Sequence, residues 1–158
     1  MSRTGRAISE EDFSPRCLVK LRIREFHLDD YERIVELWRE AGLILRPSDD
    51  REGIKLKLQR DPELFLVAEE DGEILGVVLG AWDGRRGWIN HLAVRLGRRR
   101  SGIGKSLVKE VERRLIGKGA LKVNAQIYRS NESSLAFFKA LDYDIYSDRI
   151  MVGRSLKQ

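Results

Sequence analysis

The stretch Val94-Arg95-Leu96-Gly97-Arg98-Arg99-Arg100-Ser101-Gly102-Ile103-Gly104-Lys105-Ser106-Leu107 combines residue types that hold anions. An apolar run, Trp88 to Val94, leads into a basic, glycine-punctuated turn. The turn opens a helical pattern with apolar residues at Ile103, Leu107, Val111 and Leu115. A helix that starts this way presents N–H groups with no carbonyl to pair with, and its dipole adds partial positive charge at the same end. Phosphate oxygens are natural partners for such groups. Gly102 and Gly104 carry no Cβ and let a ligand reach the backbone. Arg98, Arg99, Arg100 and Lys105 add full charges around the same point. The chemistry this turn serves is retention of a polyphosphate-bearing cofactor.

The chain that must position this turn has 158 residues, enough for one domain with its own core. Its formal net charge is +5 and 35% of its residues are charged. That balance suits an anionic cofactor, an acidic substrate or a nucleic acid without choosing among them. Cys17 is the sole cysteine. An intrachain disulfide and a cysteine-based zinc site are thereby excluded. No apolar run reaches membrane-spanning length, and no signal-peptide core opens the chain. A cytoplasmic protein without membrane partners is expected.

Residues 1–16 are polar and aperiodic and read as a flexible tail, with one domain over 17–158. Val19, Leu21 and Ile23 alternate with basic residues as in a half-buried strand. Asp29 or Asp30 can cap the next helix, whose stripe is Tyr31, Ile34, Val35, Trp38 and Ala41, with Gly42 as its stop. A loop over 43–50 precedes a short helix over about 50–60, with Ile54 and Leu58 turned inward. Strands at 64–68, 74–82 and 87–94 are joined through Asp71-Gly72 and Asp83-Gly84, dipeptides that tolerate positive φ, so an antiparallel meander follows. After the long helix (about 102–117) come a strand at 121–127 and a helix capped by Ser130 or Asn131. Two short strands, about 143–147 and 150–156, close the chain. The order β-α-α-β-β-β-α-β-α-β-β describes an α+β fold, a mixed sheet with helices on its faces. The strand–helix–strand passage from 87 to 127 implies parallel pairing.

At this point the residues resemble the GNAT superfamily of acetyl-CoA-dependent N-acetyltransferases. The family signature Gln/Arg-x-x-Gly-x-Gly/Ala stands here as Arg99-Arg100-Ser101-Gly102-Ile103-Gly104, after a strand end Leu92-Ala93-Val94. Asn131 matches a family asparagine in the last long helix, with Ala136, Phe137 and Leu141 in the expected apolar places. The resemblance spans about residues 18–156. It implies a central, mostly antiparallel sheet whose parallel fourth and fifth strands splay apart to admit acetyl-CoA. Backbone amides of about Arg99 to Lys105, with Ser106 beside them, would cradle the pyrophosphate. Leu92, Ala93 and Val94 would meet the pantetheine arm, and the amide near Leu92 would polarise the thioester carbonyl. Asn131 would hydrogen-bond the pantetheine. Acetyl would pass directly to a primary amine, with no metal. The chain departs from the pattern where Phe138 replaces the family tyrosine that serves the leaving thiolate, so that the thiolate leaves unaided, Ser134 or a water serves, or activity is low. Asp142 also replaces a glycine, tolerably, because Asp adopts left-handed backbone at helix ends.

Candidates for the remaining chemistry are fewer. His91 has the side chain for a general base. Strict alternation groups it with Ile89 and Ala93, opposite Asn90, Leu92 and Val94. His27 reads as structural. Asp49, Asp50 and Glu69 are alternative bases, caps or readers of substrate charge. The loop carrying Arg46 to Asp50 lines the acceptor site in the resembled family, so Arg46, Asp49 and Tyr128 are substrate candidates. Trp82 and Trp88 could border the same pocket or lie in the core.

Rival readings are weaker. Gly104-Lys105-Ser106 looks like the end of a nucleotide-binding P-loop, but the required first glycine falls on Arg99 and a hairpin meander precedes the turn. A basic nucleic-acid module could use Arg95, Arg98, Arg99, Arg100 and Lys105, yet no aromatic residues interleave with them. A CoA-binding sensor is compatible with Phe138. Homodimers are common in the resembled fold, but no interface is legible.

Overall fold

The computed structural model describes residues 20–156. The expected tail, Cys17 and Val19 lie outside the described residues. The elements run β1 (Arg22–Glu25), α1 (Tyr31–Glu40), α2 (Arg51–Arg60), β2 (Phe65–Glu70), β3 (Glu73–Trp82), β4 (Gly87–Val94), α3 (Ile103–Gly117), β5 (Val123–Ala125) and α4 (Glu132–Ala140). All five strands form one sheet in sequence order. β1 to β4 are antiparallel neighbours, and β5 joins β4 in parallel. The expected mixed sheet and meander are both present.

Two apolar layers cover the sheet. On one face, Ile103, Leu107, Val108, Val111 and Leu115 of α3 pack with Phe138 of α4 over Leu66, Val78 and Ile89. On the other, Ile34, Leu37 and Trp38 of α1 and Ile54 of α2 pack over Phe65, Val67, Val77 and Ala93. The amphipathic stripes place α1 and α3 this way because each buried Leu, Ile or Phe gains about 1.5–3 kcal/mol over exposure. Three glycines set how closely α3 lies. A Cβ at Gly76 would sit 2.8 Å from Ile103, at Gly80 2.8 Å from Val111, and at Gly87 2.3 Å from Leu115. The helix therefore rests directly on the backbone of β3 and β4, and its N-terminus is fixed beside the end of β4.

β4 and β5 pair over three residues only, Gly87↔Val123, Trp88↔Asn124 and Ile89↔Ala125. Beyond Ile89 and Ala125 the two strands part. The expected strand over 121–127 is thus shorter, and Leu121 is fully exposed.

Three further expectations are corrected. The first strand begins at Arg22 rather than near Val19. Asp30 stands at the start of α1, but its carboxylate accepts the N–H of His27 and so caps the preceding 3-10 turn. The two closing strands do not form. Ile150, Met151, Val152 and Leu156 are exposed, so their alternation buries no face. The segment is held instead through Tyr146, whose hydroxyl accepts from Lys122 Nζ at 2.7 Å and whose ring lies under Arg149 at 4.1 Å. A strand pattern needs a ladder partner and a face to cover, and here it has neither.

Asp30 also ties β1 to α1. Its buried carboxylate accepts Arg24 Nη1 at 2.7 Å and Nη2 at 3.0 Å, and pairs with Arg33. Burial alone would push this carboxyl up, but Arg24 and the His27 N–H hold it below the usual carboxylate range. A carboxyl lowered on folding stabilises above its unfolded pKa, and that stabilisation is lost as pH falls through the folded value. Asp30→Asn is expected to cost about 3 kcal/mol at pH 7, because Arg24 loses its main partner. Urea denaturation checks this, and the gap between variant and wild type should narrow below about pH 4.

Candidate functional site

The turn between β4 and α3 has the backbone of an anion cradle. Arg100 and Gly102 both adopt left-handed φ, 62° and 85°. The N–H groups of Arg100 to Lys105 find no acceptor among the described residues, and the first bond into the helix runs from Ser106 N–H to the Gly102 carbonyl. Six consecutive donors therefore stand unpaired at a helix N-terminus. The Ser101 hydroxyl donates to the Arg98 carbonyl and braces the turn. The two glycines do different work. A Cβ on Gly102 would meet no protein atom, so its surface is open. Gly104 is buried, and a Cβ there would lie 3.3 Å from the Phe137 ring. Its smallness serves the contact of α3 with α4 as well as access to the amides.

The charges at the turn sort into two groups. Arg98 pairs with Glu70, and Arg95 pairs with Glu40 and Glu73. Arg99, Arg100 and Lys105 form no ion pair among the described residues. Two of the five cations in the basic cluster read from the sequence are therefore neutralised, and the three that remain are gathered at the free amides. A nucleic-acid face needs a broader spread of free charge.

β4 carries a second departure from regularity. Val77 faces Ala93 and Leu79 faces Asn90, so His91 and Leu92 together oppose Val78. This is a β-bulge. His91 sits in it at φ 48°. The extra residue inverts the alternation beyond it. Ile89, Leu92 and Val94 all join the α3 layer, whereas Ala93 lies in the α1 layer. The grouping of His91 with both Ile89 and Ala93 is thus incorrect, because strict period two does not survive a bulge.

His91 is thereby turned toward α1. Its ring meets the edge of Trp38 at 5.0 Å, and the Trp38 indole N–H donates to the His91 carbonyl at 3.2 Å. His91 Nε2 lies 3.1 Å from Asp49 Oδ1. Asp49 is only 6% exposed. Its other oxygen accepts the Arg46 N–H at 2.7 Å, and its carbonyl accepts the Tyr31 hydroxyl at 3.1 Å. Arg46 Nη2 in turn donates to the Tyr128 hydroxyl at 3.3 Å. A chain of contacts, His91–Asp49–Arg46–Tyr128, so runs from the bulge of β4 to the segment beyond β5, across the opening where those strands part. With Nε2 facing a carboxylate, His91 Nδ1 has no partner among the described residues.

Asn131 caps α4, its Oδ1 accepting the Ser134 N–H at 3.1 Å. Its carboxamide N–H groups remain for a ligand. The Ser134 hydroxyl has no partner among the described residues. Phe138 is buried, with its ring edge-on to Phe137 and Tyr143. The neighbouring phenol, Tyr143, is engaged with Glu112 at 2.8 Å, and burial pushes its hydroxyl up. Trp82 and Trp88 stand at the far end of β3 and β4 from the bulge, and the Trp88 indole donates to Asp83. Asp50 caps α2 through the Gly53 N–H, and Glu69 pairs with Arg24. Among the described residues no group of three or more His, Cys, Asp or Glu is placed to hold a metal, and no helix is long and apolar enough to cross a membrane.

Comparison with known proteins decides the family. Residues 22–143 match the model of the acetyltransferase (GNAT) family. The chain belongs to the GNAT family. It is an acyltransferase, and an acetyltransferase of Yersinia pseudotuberculosis is 40% identical over 137 residues, 86% of this chain and 96% of that protein. Among solved structures, Ard1 from Thermoplasma volcanium superposes with TM-score 0.73 at 22% identity, covering 80% of this chain and 84% of its own. The PaiA N-acetyltransferase of Thermoplasma acidophilum, solved with coenzyme A, gives 0.70 at 21%, covering 77% and 88%.

In this GNAT chain the sequence left two supports of the site unremarked. Trp38 appeared only as one member of a helical stripe, yet its N–H fixes the bulge carbonyl. Gly53 passed without notice inside a helix, although an interior glycine is a cost that calls for a reason. Its reason is contact. A Cβ there would lie 2.0 Å from the Ser48 carbonyl oxygen. Gly53→Ala is expected to destabilise by about 1–3 kcal/mol and to push the 46–49 turn away from α2. The His91 ring signals in NMR should shift with it, whereas Gly117→Ala, with open space around it, should leave them in place.

Proposed function

We propose that this acetyltransferase moves acetyl from acetyl-CoA directly to a primary amine of a small molecule or peptide. The observation that carries the reading is the row of six unpaired amides, Arg100 to Lys105, beside a sheet parted after Ile89. Acetyl-CoA supplies an acyl group activated as a thioester. The amides and the free cations Arg99, Arg100 and Lys105 bind its diphosphate, with Ser106 at the rim. Leu92, Ala93 and Val94 of β4, no longer paired with β5, offer backbone groups to the pantetheine arm, and the Leu92 amide is aimed at the acyl oxygen. Asn131 donates its carboxamide N–H from the other wall.

His91 takes the proton of the attacking amine, and Asp49 holds its ring and opposes the charge that develops on it. The acceptor nitrogen bonds to the acetyl carbon as the C–S bond breaks. The thiolate departs as the anion, steadied by a hydrogen bond from the Ser134 hydroxyl or a water, and takes its proton from solvent, since Phe138 has none to give. Asp49 thereby changes part: a buried carboxylate engaged at both oxygens is a positioning residue rather than a reader of substrate. A left-handed histidine in a bulge supports this reading, because backbone strain of about 1–3 kcal/mol persists where a site requires it.

Titration calorimetry with acetyl-CoA tests the cradle. Gly102→Val is expected to weaken binding by tenfold or more, while Gly119→Val, equally left-handed but remote, should not. Wild-type affinity in the first variant would remove the diphosphate from this turn. A thiol-release assay over an amine panel tests the chemistry. His91→Ala should lower kcat by about 10²–10⁴ with acetyl-CoA affinity preserved. Asp49→Asn should lower kcat less. Acetyl-CoA binding without turnover of any amine would favour a CoA sensor, the reading that Phe138 makes possible.

A further inference from the structure

On the acceptor side of the site the Asp49 carboxylate is withdrawn while the Arg46 guanidinium is exposed. Asp49 is turned inward, its oxygens held by His91 and by the Arg46 N–H. The Arg46 side chain is exposed and joins no carboxylate among the described residues. Its partner is the Tyr128 hydroxyl, on a residue itself 63% exposed. Arg95, Arg98 and Arg24 are neutralised, by Glu40, by Glu70 and by Asp30 with Glu69, whereas Arg99 and Arg100 are unpaired among the described residues but belong to the turn before α3. Arg46 is therefore a free guanidinium held at the opening between β4 and β5. The backbone N–H of the same residue meets Asp49, which in turn meets His91.

From this we infer that the acceptor is an amine that also carries a carboxylate, received by Arg46. The inference rests on the acetyl-transfer reading above and names its substrate class. A guanidinium presents paired donors that match a carboxylate, and the Tyr128 hydroxyl can join them as a third. An acceptor anchored there has its amine directed inward, toward His91. A polyamine gains no partner at Arg46, because a guanidinium repels a cation and Asp49 is already engaged at both oxygens. Free amino acids and peptide N-termini flanked by Asp or Glu share the required chemistry.

The test compares each acceptor with its own amide. Free amino acids are assayed against the corresponding amino acid amides, acidic N-terminal peptides against their Gln and Asn counterparts, and putrescine stands as the cationic control. The wild type should favour the carboxylate form by tenfold or more in kcat/KM, mainly through KM, and the advantage should shrink with added salt. The favoured pair tells the source, free amino acid or peptide. Arg46→Ala should bring the ratio near one, Arg46→Lys should keep part of it, and Arg46→Glu should turn the preference toward putrescine. Thermal melting verifies that each variant is folded. Turnover of amides or putrescine equal to carboxylates in the wild type, or a ratio that ignores the charge at position 46, would overturn the inference while leaving acetyl transfer intact. Failure to acetylate any amine would overturn both.

Discussion

One extra residue in β4 governs the working end of this molecule. Because His91 and Leu92 share the space opposite Val78, the strand reverses which side chains face which layer. Leu92 and Val94 then continue the α3 layer begun by Ile89, and His91 is delivered to the α1 face beside Trp38. Without the bulge a histidine would enter the apolar layer under α3, where a polar ring has no partner. The Trp38 N–H on the His91 carbonyl helps satisfy the backbone group that the bulge takes out of the ladder.

The parting of β4 from β5 completes that arrangement. Three pairs hold the two strands at one end, and α3 is pressed onto Gly76, Gly80 and Gly87 so that its N-terminus stays beside the other. The close contact of helix and sheet is what gives the unpaired amides a fixed position. The same crossover that makes the pairing parallel carries the chain from the end of β4 into the cradle and back along β5. Strand, turn and helix thus act as one unit, and a ligand held by the turn is aligned with the edge that β4 exposes.

Much of this was legible from residue order. The meander followed from Asp71-Gly72 and Asp83-Gly84, the helix faces from their apolar stripes, and the left-handed turn with unpaired amides from Gly102 and its neighbours. These are local signals, set by turn chemistry and helical period. What the sequence hid was long-range. Period two cannot reveal a bulge, because the extra residue is defined by the partner strand. The Asp49–His91 contact joins positions 42 residues apart with no local signature. The pairing of Arg98 with Glu70 likewise removed charge that composition alone counted as free. The failed strands at the end of the chain show the converse error: alternation in Ile150 and Val152 was real, but no ladder receives it.

The remaining question of chemistry turns on how the site manages protons with one family group missing. Phe138 fills the core between α3 and α4, and the adjacent Tyr143 is tied to Glu112, so neither offers a phenol to the opening. A thiolate is a far better leaving group than an amine, with a thiol pKa near 8.5, and it needs less help to depart. The attacking amine has the greater need, since its ordinary form is a cation that cannot attack. The polar residues are distributed accordingly. His91 and Asp49 form the acceptor wall, whereas the wall formed by α4 offers one hydroxyl, Ser134, and a carboxamide. On the proposed reading, base chemistry falls to the bulge, and the departing thiolate is left with the weakest donors in the site.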